Sequence, residues 1–323
     1  MTALHIVIGS GMVGTKLAEK LAKSKKKVVL VSRSKKSIDN PGIAQMTGDA
    51  TSLSSLMKVA DKAKVIYNCA NPSHYNKWDV EWPQMSKTIS DYAINVGADL
   101  VTCSNLYGYG PFDGVLAEEL PLNASWTNGK VRAQMWIDAK HLHDSGRLRV
   151  TEVRGSDYIC ANDQSRMGHR VVPNLIAGKK IRLLGELDQP HTWTDPDDVA
   201  ELMLTVAEDE RSWGRPWHVP SNEPKTQRQV VADIARELRI TDYQLSAIGS
   251  GMEKLIGLFN PVVRELNHGS YQFNQPFVMS SQAAQETFGL SPKPWDQVIK
   301  DLVKPYLDYL NANGKSEILK IDK

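Results

Sequence analysis

Close to its amino end the chain reads GSGMVG, which sets Gly9, Gly11 and Gly14 in the spacing G-x-G-x-x-G directly after the apolar run LHIVIG. In a strand-turn-helix setting the first glycine permits a tight turn and the second lets a pyrophosphate approach the backbone. The third lets helix and strand pack closely. The amides that open the helix then face an anion with a partial positive charge. This is dinucleotide-binding chemistry, with Met12 and Val13 completing the turn; the plain alternative is a glycine-rich turn that holds nothing. A site built for NAD carries an acidic residue about 20 positions further on, to bond the ribose hydroxyls. Here that place reads SRSKK, with Arg33 and Ser34 followed by Lys35 and Lys36. A 2′-phosphate would meet a forked guanidinium, hydroxyls and ammonium groups, so the spacing predicts NADP rather than NAD. A solvated basic loop is the competing reading.

A second candidate is VTCSNLYGYGP, where Tyr107 and Tyr109 alternate with Gly108 and Gly110 after an apolar strand. Hydride transfer to a carbonyl leaves an alkoxide that must be protonated or stabilised, and a phenol at a strand end can do this. Tyrosines flanked by glycines also serve as packing around a bend. Cys69, Cys103 and Cys160 lack CxxC spacing, which fits reduced thiols in a cytoplasmic protein and predicts no metal site. His141 and His143 are two apart on a helical segment and point to different faces. Asp157 and Tyr158, after the sixth strand, are further candidates at the cleft, and QPHTWT either aims His191 or Trp193 at a substrate or forms a packed corner.

These residues need a scaffold, and the first half supplies one. Apolar runs at 4–9, 27–32, 42–49, 64–70, 99–104 and 148–155 alternate with amphipathic segments, the pattern of a parallel sheet covered by helices. Six such strands with right-handed crossovers make a doubly wound α/β sheet, whose ligands bind outside its carboxyl edge. After residue 160 the rhythm breaks into short strands (KIRLLG, PWHVP, YQLSAI) and helices separated by prolines. The expected organisation is a dinucleotide-binding domain over 1–160 and a smaller α/β lobe over 161–312, whose strands return in part to the main sheet. A flexible tail over 313–323 completes it.

The formal net charge of +2 argues against a general nucleic-acid binder. No apolar run reaches the roughly 18 residues a membrane span needs. The opening MTALHIVIGSG has no basic segment ahead of its apolar run, so it reads as a first strand and not as a signal peptide.

With these motifs in place the chain resembles the extended short-chain dehydrogenase/reductases, in their epimerase/dehydratase-like group, over nearly its whole length. The resemblance rests on the glycine turn, GDAT after strand three, NCANP after strand four, LYGYG after strand five, TWTDPDDVAELM and WHVPSNEPKTQRQVV. It implies a Rossmann fold with Asp49 and Ala50 near the adenine. Cys69, Ala70 and Asn71 would line the middle of the cofactor, and Asp195 and Asp198 would lie on the aspartate-led helix. The family carries a Ser or Thr after strand five, near Ser104 and Cys103, and then Tyr-x-x-x-Lys. Here SWTNGKVRAQM stands in that place. If Lys130 is the family lysine, Trp126 takes the tyrosine's position; if Arg132 stands in, Asn128 does. Neither side chain offers a phenol's proton.

The resemblance therefore implies an atypical member with Lys130 on the nicotinamide ribose and Tyr107 and Ser104 as the hydroxyls of the site. The leading expectation is an NADP(H)-dependent reductase acting on a carbonyl of a small organic substrate, as a homodimer joined through the helices after strands four and five. The other readings are an isomerase or lyase that uses its cofactor transiently, a catalytically silent NADP-binding regulator, and a structural partner protein.

Overall fold

The computed structural model describes residues 3–34, 38–72, 74–162, 165–248 and 269–313. β-Branched apolar runs form strands covered on both faces: β1 (Leu4–Ile8), β2 (Lys27–Ser32), β3 (Ile43–Thr47), β4 (Val65–Asn68) and β5 (Asp99–Asn105). Between them lie α1 (Met12–Lys23), the short α2 (Leu53–Leu56) and α3 (Trp78–Val96). The two-residue β6 (Val115–Leu116), α4 (Thr127–Asp144) and β7 (Val150–Gly155) follow. All six strands expected in the first half are present.

The second half contributes β8 (Asp157–Tyr158), α5 (Arg166–Ile176), β9 (Ile181–Leu184), β10 (Trp193–Thr194) and α6 (Pro196–Val206). Then come β11 (Pro216–His218), α7 (Gln227–Glu237), β12 (Leu245–Ile248) and β13 (Val278–Met279). The described chain closes with helices at Gln282–Phe288 and Trp295–Asn313.

Seven strands form one parallel sheet in the order β11-β7-β5-β4-β1-β2-β3. The strand order reverses between β1 and β4, and such a switch point opens a ligand crevice at the carboxyl edge. The seventh strand is PWHVP, three residues that pair with β7 from the second half of the sequence. Residues 216–218 thus return to the sheet, and α6 buries Val199, Leu202, Met203 and Val206 against Leu17 and Leu21 of α1. On the opposite face α3 and α4 cover Ile6, Ile66 and Leu100. A separate core joins α5, β9, α7 and the last helix through Val172, Leu183, Ile234 and Leu302. No helix among the described residues is long and apolar enough to cross a membrane.

Candidate functional site

The three glycines of the first turn are required for different reasons. Gly9 has φ +107°, and a Cβ there would lie 2.5 Å from the Cys69 carbonyl oxygen. A Cβ on Gly14 would fall 1.9 Å from the carbonyl oxygen of Gly9. Both are fixed by the protein's own backbone. Gly11 is not: a Cβ built there meets no atom within 4 Å. It caps α1 without a side-chain hydrogen bond, and the first turn carries no acidic residue. An uncapped helix start with a bare approach to its amides is a cradle for an anion, so the residues present fit a dinucleotide pyrophosphate.

Around this turn the structure gathers most of the residues the sequence singled out. Met12 is half-buried and Val13 buried behind the turn. Cys69 and Ala70 form its wall, with the Ala70 N–H donating to Asn68 Oδ1 at 3.2 Å and Asn71 exposed beyond. Arg33 and Ser34 are exposed at the end of β2, while Lys35 and Lys36 lie outside the described residues. Ala50 is buried beside the exposed Asp49. The Asp49 carboxylate accepts from the Thr51 N–H at 2.9 Å and its hydroxyl at 2.7 Å. These bonds, with Arg33 nearby, hold it below its usual pKa.

The start of α4 carries both alignments that the sequence left open, and their side chains face differently. Asn128 and Arg132 are 1% and 5% exposed and face inward, whereas Lys130 lies on the exposed side of the helix. Residues four apart share a helical face and residues two apart do not, so Lys130 is turned away from the interior and the spacing Asn128-x-x-x-Arg132 takes the inward place. Asn128 Nδ2 donates to the Tyr75 carbonyl at 3.0 Å. Arg132 Nη2 donates to Ser104 Oγ at 2.8 Å and to the Cys103 carbonyl at 3.1 Å, so the guanidinium holds the end of β5.

The two tyrosines part company. Tyr107 sits among aromatic rings, 6.1 Å from Trp78 and 5.1 Å from Trp126, and burial pushes its phenol well above the ordinary range. Tyr109 is sealed into a buried chain: its hydroxyl accepts from Arg154 Nη1 at 2.7 Å and donates to His218 Nε2 at 2.8 Å. Arg154 is anchored by Glu152 Oε2 at 3.0 and 2.8 Å. His218 Nδ1 donates onward to the Ser280 carbonyl at 2.8 Å. Burial raises Tyr109 to about 12. Tyr109 is therefore a structural hydroxyl, and the sequence held no signal for its partners on β7 and β11.

The segment after β7 spans the crevice. Tyr158 Oη lies 3.4 Å from Cys103 Sγ, and Cys160 Sγ lies 3.4 Å from Met12 Sδ on the glycine turn. Burial pushes the thiols of Cys69 and Cys103 up, which makes them poor nucleophiles. No group of metal-ligating side chains occurs among the described residues. Asp157 opens this segment, and its Oδ2 lies 3.0 Å from Nε2 of His191, a pairing across 34 positions that no local pattern signals. Asp195 caps α6 by accepting from the Asp197 N–H at 2.6 Å, and Asp198 accepts from the Lys293 N–H at 3.1 and 3.0 Å. Both aspartates are engaged in holding the second half together.

Comparison with known proteins agrees with this geometry. A family model described as the NAD dependent epimerase/dehydratase family matches residues 6–219. The comparison with curated proteins by sequence gave no match. Among solved structures, a dTDP-glucose 4,6-dehydratase from Bacillus anthracis in complex with NAD superposes with a TM-score of 0.76 at 19% identity, over 96% of this chain and 98% of that one. An epimerase from Methanothermobacter thermautotrophicus gives 0.78 at 13% identity, over 97% and 95%. A UDP-N-acetylglucosamine 4-epimerase from Bacillus cereus gives 0.73 at 12%, over 93% and 98%. At these identities the structural likeness concerns the fold, and the family assignment rests on the match across the glycine turn, the sheet and the returning strand. The chain belongs to the NAD dependent epimerase/dehydratase family.

Proposed function

We propose that this protein binds NADP(H) across the carboxyl edge of its sheet and is an oxidoreductase that reduces a carbonyl of a small organic substrate. The observation that carries this reading is the open face of Gly11 at the uncapped, acid-free start of α1. The α1 amides would take the pyrophosphate, and Arg33 with Ser34 the 2′-phosphate, since no carboxylate stands at the end of β2 to select NAD. Asp49 and Ala50 would flank the adenine, and Cys69, Ala70 and Asn71 the middle of the cofactor. When bound, the nicotinamide supplies hydride donation and acceptance. Arg132 would hold Ser104 and the end of β5, while Lys130 remains the candidate for the nicotinamide ribose.

Membership of the epimerase/dehydratase family favours a second reading, in which a hydroxyl is oxidised and the product reduced again within one catalytic cycle. Titrating NADPH and NADH by nucleotide fluorescence, then following absorbance with panels of ketones, aldehydes and sugar nucleotides, tests both. Preference for NADPH with its net consumption by a carbonyl compound is the expected result. Turnover without net NADPH loss selects the second reading, and absence of nucleotide binding overturns both. A homodimer through α3 and α4 is part of the proposal: Val80 and Ile137, on these helices, are 70% and 51% exposed. A monomeric mass in light scattering would contradict it.

A further inference from the structure

Of the three histidines buried almost completely, His5 at 2%, His191 at 1% and His218 at 0%, the last two have ring nitrogens that face different kinds of partner. His218 has one donor and one acceptor: its Nε2 receives the Tyr109 hydroxyl and its Nδ1 serves the Ser280 carbonyl. A neutral ring, with one N–H and one lone pair, satisfies both. His191 has two acceptors. Its Nδ1 lies 3.0 Å from the Gln272 carbonyl, and its Nε2 lies 3.0 Å from Asp157 Oδ2. A neutral ring would aim a bare lone pair at an oxygen, so the pair holds one proton more than a neutral imidazole beside a carboxylate. The ring cannot turn freely to escape: Phe273 stacks on it at 4.7 Å and 10°, with Trp193 at 4.6 Å and Phe277 at 5.3 Å.

Asp157 begins β8 at the carboxyl edge of the sheet, the edge at which such folds bind ligands. It follows the carboxyl end of β7 and keeps 29% of its side chain exposed while His191 behind it is sealed. Its neighbours reach the end of β5 through Tyr158 and the glycine turn through Cys160. The other charged and titratable groups facing it are Arg166, Tyr107 and Tyr271.

We infer that Asp157, backed by His191, is the proton-transfer group of this cleft, in the role for which α4 offers only Asn128 and Trp126. The inference rests on the hydride-transfer reading above. With a bound nicotinamide supplying hydride acceptance, Asp157 would take the O–H proton of the carbon being oxidised, leaving C=O. In the reductive direction Asp157, partly exposed, would first take a proton from solvent and then pass it to the carbonyl oxygen. Asp157 is the catalytic residue. His191 is a positioning residue: it keeps its N–H bonds to Gln272 and Asp157 and fixes the carboxylate's orientation. Burial works against the Asp157 charge, but the hydrogen bond and charge of His191 outweigh it, so the carboxyl stays below its ordinary pKa and in the accepting form near neutrality.

The test uses the full chain with NADP. Nitrogen-15 NMR of the histidine rings near neutral pH is expected to show both nitrogens of His191 protonated, and one bare nitrogen there would overturn the inference whether or not any variant folds. Asp157→Asn is expected to bind NADPH within about twofold of wild type. Its hydride transfer to or from the panel compounds is expected to fall by about 100-fold or more. Asp157→Glu should recover part of the rate, and His191→Gln should shift the pH profile of transfer. Wild-type transfer rates in Asp157→Asn would overturn the pair's role and leave the nucleotide reading standing. A wild-type protein that binds NADP but moves no hydride with any panel compound would overturn the hydride reading and the pair's role together.

Discussion

The starts of α1 and α4 look alike in sequence and differ in what surrounds them. Each has a glycine in or beside its first turn, no acidic residue there and no side-chain cap. At Gly11 a Cβ would point into open space. At Gly129 it would lie 2.5 Å from Ala124 Cβ, 2.7 Å from Trp126 Nε1 and 2.8 Å from the Tyr107 carbonyl oxygen. The first glycine leaves room for something that is not protein, while the second lets the chain pack on itself. Beneath α4 the crowding continues into the buried Arg154–Glu152 pair and the Tyr109–His218 chain. One helix start is left open for a ligand, and the other is closed to hold the frame.

That contrast can be broken at several points. Removing a buried charge on the closed side has the largest expected effect. Glu152→Ala leaves Arg154 uncompensated and is expected to cost about 3–5 kcal/mol in denaturant unfolding; a loss below about 1 kcal/mol would mean the pair is not sealed. On the open side, Gly11→Val is expected to lower NADPH affinity by about 100-fold, roughly 2.7 kcal/mol. Its melting temperature should match wild type, because no protein atom is displaced.

Acid should weaken the closed side. Burial lowers His218 to about 3 and His5 to about 4. Both therefore stay neutral in the folded protein, while an unfolded histidine takes up its proton near 6.5. Their contribution to stability is complete above that value and is lost as pH falls toward 4. Unfolding at pH 7 and pH 5 should show a lower stability at pH 5, and equal values would contradict the neutral assignment of both rings. A smaller effect is expected from Arg33→Ala, which should weaken NADPH binding about tenfold and leave NADH unchanged. The smallest belongs to Lys130→Ala, within about 0.5 kcal/mol in stability, since its side chain is exposed.

The parts readable in the sequence are those with local periodicity. Six strands, the glycine turn and the helices at 196–206, 227–237 and 295–313 follow from short-range pattern. A return of second-half strands to the main sheet was expected, but that PWHVP is the one, and that it pairs with β7, was not legible, because so short a strand carries no period that names a distant partner. On α4, spacing placed Lys130 and Arg132 at the same helix start but did not fix which one turned inward; the packing of Asn128 and Arg132 sets that phase. Tyr109 and His218 meet across 109 positions, and Asp157 and His191 across 34, so neither pair leaves a local trace. Asp157 was legible as a candidate because it follows the sixth strand, whereas its pairing with His191 is non-local and was not.

The central claim is that the open face of Gly11 exists for a nucleotide. Isothermal calorimetry of NADPH into the wild-type protein and into Gly11→Val tests it directly. The account predicts a saturable one-to-one heat with wild type and its loss in the folded variant. Absence of heat from both proteins, or the same isotherm from both, would contradict it.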